Sequence, residues 1–415
     1  MRRALQVITT LVEVNGKNVY NWVVSNYLLN MMNGYFDRTL PDIASLKRRA
    51  KQRVPKFAFD YLEGGCNEEI GVSRNRLDIQ SIQLRSRLLK PFVGCKLDTE
   101  IFGHTYSAPF GIAPIGLQGL MWPKAPEILA RAAAELNVPY ILSTVSTSSL
   151  EHIAEVSDGH AWFQLYNPTD TEIRKDLLRR IKAADYQVLV VTVDVPTFGF
   201  RPRDMRNGLS LPPKMTIKNI IQMLSKPAWL METALAGKPE METLKPYMPK
   251  DMPADGLADF MNKTVMGRVD IEGLKPIRDF WAGPLIVKGL INLKDVAAAI
   301  SLGADAVVMS NHGARQLDNG ESPVEPLKRA SKKYAKDIKI FMDSGLRSGS
   351  NIAAALACGA DFAFLGRPFV YGVGALGAKG GVHTINSLSI QLEQVMNQLG
   401  CPTASDLPKF LVAAK

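Results

Sequence analysis

The chain of 415 residues, 46% hydrophobic and 22% charged, is long and apolar enough for a large buried core, which excludes disorder, a fibre and a disulfide mini-protein. Its formal net charge of +10 raises nucleic acid, an anionic membrane and acidic substrates as partners, yet residues 1 to 60 hold ten Lys or Arg against four Asp or Glu, a surplus of six that leaves only +4 for the rest. No basic stripe with interleaved aromatics follows, so nucleic acid is not expected, and the run Lys47, Arg48, Arg49, Lys51, Arg53, Lys56 reads as a solvated helix face.

Residues 1 to 38 read as an extension of unassigned use ahead of one domain over 39–415. The apolar stretch from Leu5 to Phe36 is broken by Glu13, Lys17 and six asparagines, so it does not read as a membrane-spanning helix. Met1-Arg2-Arg3 is basic but lacks a compact apolar region and a cleavage site; a mitochondrial-type leader stays open, opposed by Glu13. Cys66, Cys95, Cys358 and Cys401 lie far apart without a C-x-x-C pair, so no disulfide framework and no cysteine zinc site are expected, and a reducing compartment, the cytoplasm, is the default.

From residue 109 short apolar runs alternate with amphipathic or Ala-rich segments. Strands are predicted at Pro109 to Pro114, Tyr140 to Thr144, Ala161 to Tyr166, Gln187 to Asp194, Leu285 to Gly289, Asp305 to His312, Lys339 to Gly345 and Phe362 to Pro368. Helices between them include Pro126 to Asn137, Asp170 to Asp185, Asn292 to Leu302 and Asn351 to Cys358. Eight strand–helix units whose strands are apolar on both faces predict an α/β fold, a closed (β/α)8 TIM barrel. A doubly wound open sheet is the runner-up, and the turn after Pro114, IGLQGLMWP, lacks the glycine pattern it would need.

One connection breaks the rhythm: about 75 residues separate Asp194 from the helix expected near Ile271. Half of the sixteen methionines lie between Leu209 and Asp270, and Ile217, Ile220, Ile221 and Leu224 follow helical spacing. The insertion, about 209–270, reads either as a lid or shallow membrane contact, or as a face packed on the barrel.

Barrel active sites form at the C-terminal ends of the strands, where this chain is rich in polar residues: Ser143, Gln164, Tyr166, Thr192, Asp194, Lys288, Ser310, Asn311, His312 and Arg315. The last two ends, DSGLRSG (Asp343, Ser344, Gly345, Arg347) and LGRP (Gly366, Arg367), set glycines beside arginines, a pattern suited to a phosphate. A carboxylate such as Asp194 that orients His312 makes a proton-accepting base. Arg201 and Arg315 with Tyr61 or Tyr166 would hold a substrate carboxylate. Lys288, in LIVKG, reads either as a Schiff-base lysine or as a cation beside a cofactor that gains negative charge.

At these residues the chain closely resembles the FMN-dependent 2-hydroxy acid oxidase and dehydrogenase family, which includes glycolate oxidase, lactate oxidase, mandelate dehydrogenase and L-lactate dehydrogenase. The resemblance covers about residues 40–405 and rests on FDYLEGG, IAPIGLQG, LSTVSTSS, WFQLY, TVDVPTFGFRPRD, IVKG, SNHGARQLD, DSGLRSG and LGRP, in family order. It implies that His312 is the base and Asp194 its orienting carboxylate, that Tyr61, Tyr166, Arg201 and Arg315 bind substrate, and that Lys288 lies against the flavin. It further implies an FMN site formed by Pro114, Ile115, Gly116, Ser143, Gln164, Thr192, Lys288 and Ser310, with the phosphate on Asp343, Ser344, Gly345, Arg347, Gly366 and Arg367. The nearer resemblance is to the membrane-associated bacterial L-lactate and mandelate dehydrogenases, through STVS, IRDFWAGPLIVKG and the PAW…GKP pattern of the insertion. Val145 stands where glycolate oxidases carry tryptophan and Gly116 where many oxidases have alanine; Ile115, Ser344 and Phe198 vary from the commonest family residues. Residues 1–40 contain no histidine, so no fused haem domain is expected there.

The resulting expectation is oxidation of an L-2-hydroxy acid, foremost L-lactate, to the 2-oxo acid with FMN. A quinone or cytochrome would be the acceptor, with peripheral contact at the inner face of the cell membrane and a homotetramer implied by the resemblance. The alternatives are an oxidase that uses O2 and yields H2O2, and more remotely a non-catalytic FMN-binding barrel.

Overall fold

The computed structural model describes residues 35–209, 215–249, 256–264 and 267–412. Of the expected 1–38 extension only the last residues fall within these bounds. There Tyr35 and Phe36 pack on the ring of His383, whose Nδ1 accepts the Asp37 amide at 3.0 Å.

An antiparallel hairpin comes first, β1 (Thr99–Ile101) and β2 (His104–Tyr106). Eight parallel strands then close into a barrel: β3 (Phe110–Ile112), β4 (Tyr140–Ser143), β5 (Ala161–Tyr166), β6 (Leu189–Thr192), β7 (Leu285–Leu290), β8 (Ala306–Met309), β9 (Lys339–Met342) and β10 (Phe362–Leu365). Every residue of β3, β4, β5, β6, β8 and β10 is buried, because helices cover the outside and side chains fill the lumen. Phe341 packs edge to face on Phe362 and Phe364 in the lumen, and Trp162 and Phe362 meet Phe364 at tilted angles. The hairpin, which the sequence reading did not anticipate, joins this lumen cluster: Phe102 reaches Trp162 and Phe341, and the Trp162 indole donates to the Tyr106 hydroxyl at 3.1 Å.

Several crossover helices begin on a side chain that accepts a backbone N–H, namely Ser149, Asp170, Asn292 and Ser348, and this satisfies donors the first turn leaves free. The predicted strands run too far at their C-terminal ends. Those expected to reach Asp194, His312, Gly345 and Pro368 stop at Thr192, Met309, Met342 and Leu365. The chain bends there because His312, Ser344 and Gly345 take positive φ, outside the extended region of a regular strand, and Arg367 opens a helix, Arg367–Leu376.

The long connection after β6 carries helices Pro202–Arg206, Ile217–Leu224, Pro227–Ala236 and Gly256–Thr264. Buried contacts hold it, among them two from its middle. Trp229 is buried edge-on against Phe57. Arg180, bidentate to Glu151, donates to the Thr243 carbonyl and the Tyr247 hydroxyl, each at 3.0 Å. The helical apolar stripe does not pack on the barrel: Ile217 is 78% exposed, Leu224 65% and Leu235 84%, with Ile220, Ile221 and Met231 beside them. No helix among the described residues is long and apolar enough to cross a membrane.

The basic N-terminal helix, Ile43–Arg53, lies against this insertion. Lys226 donates to the Gln52 carbonyl at 2.8 Å. Lys47 pairs with Glu63, Lys56 with Asp60, and the Arg53 guanidinium lies over the Trp122 ring; Arg48, Arg49 and Lys51 face outward. The solvated reading thus holds for Arg48, Arg49, Lys51 and the exposed Lys56, and not for the half-buried Lys47 and Arg53.

Candidate active site

A cavity of about 560 Å³ opens at the C-terminal ends of the strands. Its walls include Tyr61, Pro114 to Gly116, Val145, Tyr166, Arg201, Lys288, His312, Arg315, Asp343 to Arg347, Gly366 and Arg367. Ser143, Gln164, Thr192 and Ser310 are not wall residues but lie buried at the strand ends.

The His312 Nδ1 meets Asp194 Oδ1 at 2.9 Å. Their closeness depends on Gly289 at φ +107°, since a β-carbon there would fall 2.5 Å from the Asp194 carboxyl carbon. Burial pushes the His312 imidazole below its ordinary value of 6.5, with Lys288 and Arg201 adding to this and Asp194 opposing it. Burial also acts against the Asp194 carboxylate, but His312 and Lys288 outweigh it and hold Asp194 below the usual range. The result is a neutral imidazole beside a charged carboxylate, the state from which a base accepts a proton.

His312 sits at the start of an unusual turn. His312, Gly313 and Ala314 have φ of 56°, 64° and 60°, three successive residues in the left-handed region. For the two that are not glycine this costs roughly 1–2 kcal/mol each. The His312 amide donates to Ser310 Oγ, the Gly313 amide to Ser344 Oγ, and the Ala314 carbonyl accepts from the Cys66 amide. Such strain persists only where surrounding contacts enforce it.

Arg315 leaves the turn toward the same cavity, its guanidinium 5.0 Å from the Tyr61 ring centre and donating to the Tyr61 and Gly64 carbonyls at 2.7 and 2.6 Å. Arg201 donates to Gln316 Oε1 at 3.1 Å and is 4.0 Å from Asp204. Burial and the neighbouring Arg315 bring Arg201 down to about 10, so it stays charged at neutral pH. Tyr166 is raised by burial and by Asp194, and remains a neutral hydroxyl. Asp204, which the sequence reading passed over although it stands three residues after Arg201, is buried, lines the cavity, and has an Oδ1 without a partner.

At the other end Lys288 is buried between Asp343 Oδ2 and Ser310 Oγ, each at 3.2 Å. Burial works against its charge, but Asp343 and Asp194 outweigh it and raise it above its ordinary value. Arg367 donates to the Leu62 and Gly64 carbonyls and is lowered to about 9 by burial and by Arg347. Arg347 is likewise lowered by burial. These two guanidiniums, with the backbone amides of Ser344 to Leu346 on the same wall, offer a cradle for an anion.

The remaining polar atoms fit a flavin. Gln164 Nε2 and Thr192 Oγ1 are buried without partners, while Ser143 Oγ donates to Gln164 Oε1. Buried orphans of this kind cost about 1–3 kcal/mol each unless a ligand meets them. A ring with carbonyl and imide groups, bearing a phosphate, offers partners to both these atoms and the arginines. A β-carbon on Gly116 would fall 2.5 Å from Val145 Cγ2, so these two positions together set the room at the ring's edge.

The family model described as FMN-dependent dehydrogenase matches residues 50–414. The chain belongs to the FMN-dependent dehydrogenase family. An L-lactate dehydrogenase of Vibrio parahaemolyticus is 35% identical over 361 residues, 87% of this chain and 95% of that protein. The solved structure of the monotopic membrane protein (S)-mandelate dehydrogenase matches with a TM-score of 0.85 at 34% identity, over 91% of this chain and 100% of that one. A mandelate oxidase structure matches with a TM-score of 0.74 at 28% identity, over 89% of this chain and 97% of that one. This family member uses FMN and oxidises a 2-hydroxy acid, and the barrel expected from the sequence is its fold.

Proposed function

We propose that the chain oxidises an L-2-hydroxy acid, L-lactate being the simplest candidate, to the 2-oxo acid and passes the electrons to a membrane quinone or a cytochrome. The observation that carries this reading is the His312–Asp194 pair facing a cavity that also holds Arg201 and Arg315. Arg201, Arg315 and Tyr61 bind the substrate carboxylate, which needs charge and a fixed fork of donors. Neutral His312 takes the proton from the substrate, and Asp194 stabilises the imidazolium that results. Tyr166 donates to the reacting oxygen.

FMN, when bound, supplies the two-electron acceptor. Pro114 to Gly116, Ser143, Gln164, Thr192 and Ser310 would hold its ring, and Ser344, Gly345, Arg347, Gly366 and Arg367 its phosphate. Lys288 keeps a positive charge beside the ring, which favours the reduced anion. Asp343 acts by holding Lys288 in place through their ion pair.

The exposed face of Ile217, Ile220, Ile221, Leu224, Met231 and Leu235, with Arg48, Arg49 and Lys51 on the adjoining helix, suits the inner surface of an anionic membrane. The same reading includes a homotetramer in the cytoplasm, docked peripherally. The likeness to a mandelate oxidase favours a second reading in which O2 reoxidises the flavin.

Anaerobic mixing of the FMN-loaded protein with a panel of 2-hydroxy acids tests both. Bleaching of the flavin followed by rapid recolouring with a quinone and slow recolouring with air is expected. Fast recolouring in air would select the oxidase, and no bleaching by any acid would overturn the substrate class.

A further inference from the structure

The left-handed turn at His312 to Ala314 raises the question of what holds it. Ala314 donates its amide to Asn311 Oδ1 at 3.1 Å and to the Asn311 carbonyl at 2.9 Å, so Asn311 closes the turn. The Asn311 side chain is fixed in turn from a distant part of the chain. Asn75, on helix Ile70–Gln80, donates Nδ2 to Asn311 Oδ1 at 2.8 Å, and Asn311 Nδ2 donates to Asn75 Oδ1 at 2.7 Å. Asn311 Nδ2 also donates to the Glu321 carbonyl at 3.0 Å.

The reciprocal pair requires a primary amide on both sides, because each residue gives one N–H and takes one through its carbonyl oxygen. Asn75 is 2% exposed, so no water can substitute freely for it. Its backbone carbonyl also abuts Gly345, where a β-carbon would fall 2.5 Å away, so the same residue braces the turn against the loop of Asp343 to Arg347.

We propose that Asn75 is a positioning residue for the oxidation: its amide pair with Asn311 enforces the left-handed turn that aims His312 at Asp194 and the cavity. The proposal rests on His312 being the base. Without Asn75 the Asn311 side chain keeps only the Ala314 amide and the Glu321 carbonyl as partners, its orientation is less tightly fixed, and the turn relaxes toward the right-handed region that His and Ala prefer. His312 then leaves its 2.9 Å contact with Asp194, while the groups that bind FMN and the substrate carboxylate stay in place.

The test follows flavin reduction by L-lactate under anaerobic stopped flow. Asn75→Ala is expected to retain FMN and nearly the same apparent lactate affinity, and to lose about ten- to a hundredfold in the limiting reduction rate, within the range a misplaced base costs. Ala314→Gly added to that variant should recover most of the rate, since glycine takes positive φ without strain and the turn no longer needs enforcement. A purely structural role for Asn75 would not be rescued this way, so failure of the rescue overturns the proposal, as does a wild-type rate in Asn75→Ala. If Asn75→Ala does not fold, Asn75→Leu keeps the approximate size and removes both hydrogen bonds to Asn311; a wild-type rate there again overturns the proposal and a folded, slow enzyme supports it. A wild-type enzyme whose flavin no 2-hydroxy acid reduces overturns the functional reading instead, a separate result.

Discussion

His312 and Asp194 stand 118 residues apart in sequence, beyond the ends of β8 and β6, and meet at 2.9 Å through the imidazole Nδ1. Because Asp194 occupies Nδ1, the other ring nitrogen is the one left for the substrate. Replacement by His312→Gln keeps a polar side chain of similar reach but removes the base. FMN content should be unchanged and turnover should fall about 10²- to 10⁴-fold, measured as the anaerobic flavin reduction rate. A rate near that of the wild type would remove His312 from the role.

The pH dependence follows from the direction of the imidazole shift. His312 must be neutral to accept a proton, and burial lowers it from 6.5, so the acid limb of kcat/KM should lie below pH 6.5. Asp194 opposes that shift, so Asp194→Asn should move the limb to still lower pH while it reduces the rate. Stability has a matching sign: the unfolded imidazole takes up a proton more readily than the folded one, so His312 destabilises the fold as pH falls through the unfolded value. An acid limb that moves upward in Asp194→Asn would contradict the arrangement.

Lys288 and Asp343 form a buried ion pair at 3.2 Å. Lys288→Met would leave the Asp343 carboxylate buried without its cation, at about 3–5 kcal/mol. Denaturant unfolding of the apoprotein should show that loss, and flavin reduction should slow through the missing charge. The double change Lys288→Met with Asp343→Leu should regain much of the stability without regaining the rate.

The exposed stripe on Ile217–Leu224 can be changed without touching the cavity walls. Ile217→Glu with Ile221→Glu should reduce co-flotation with anionic vesicles by about tenfold or more and leave FMN binding intact. Equal flotation would return the stripe to some other partner.

The hairpin that joins the lumen cluster makes a stability prediction. Trp162→Ala empties a fully enclosed site and strands the Tyr106 hydroxyl, so unfolding free energy should fall by about 3–5 kcal/mol. A change below about 1 kcal/mol would show that the lumen collapses around the gap.

The barrel was legible because its cause is local and periodic: short apolar runs separated by capped helices leave few other ways to bury both strand faces. The positions of Lys288, His312 and Arg315 were legible for the same reason, since polar residues at strand ends stand out. The hairpin Thr99–Tyr106 was not, because TEIFGHTY carries no apolar alternation, and its stability comes from Trp162 and Phe341, far along the chain.

The chain alone determined the eight-strand order, the insertion and which polar residues stand at the strand ends, through pattern and residue type. Tertiary structure decided where strands end, since the left-handed φ of His312 and Ser344 depends on contacts that no single segment contains. It decided the face of Ile217–Leu224 as well: helical spacing defines a stripe, but the contacts of Asn219 with the Asn207 carbonyl and of Gln222 with the Phe57 amide, together with buried Trp229, turn that stripe outward. It also brought Asn75 to Asn311 and left Gln164 and Thr192 without partners, facts about distance and burial that a residue's identity cannot encode.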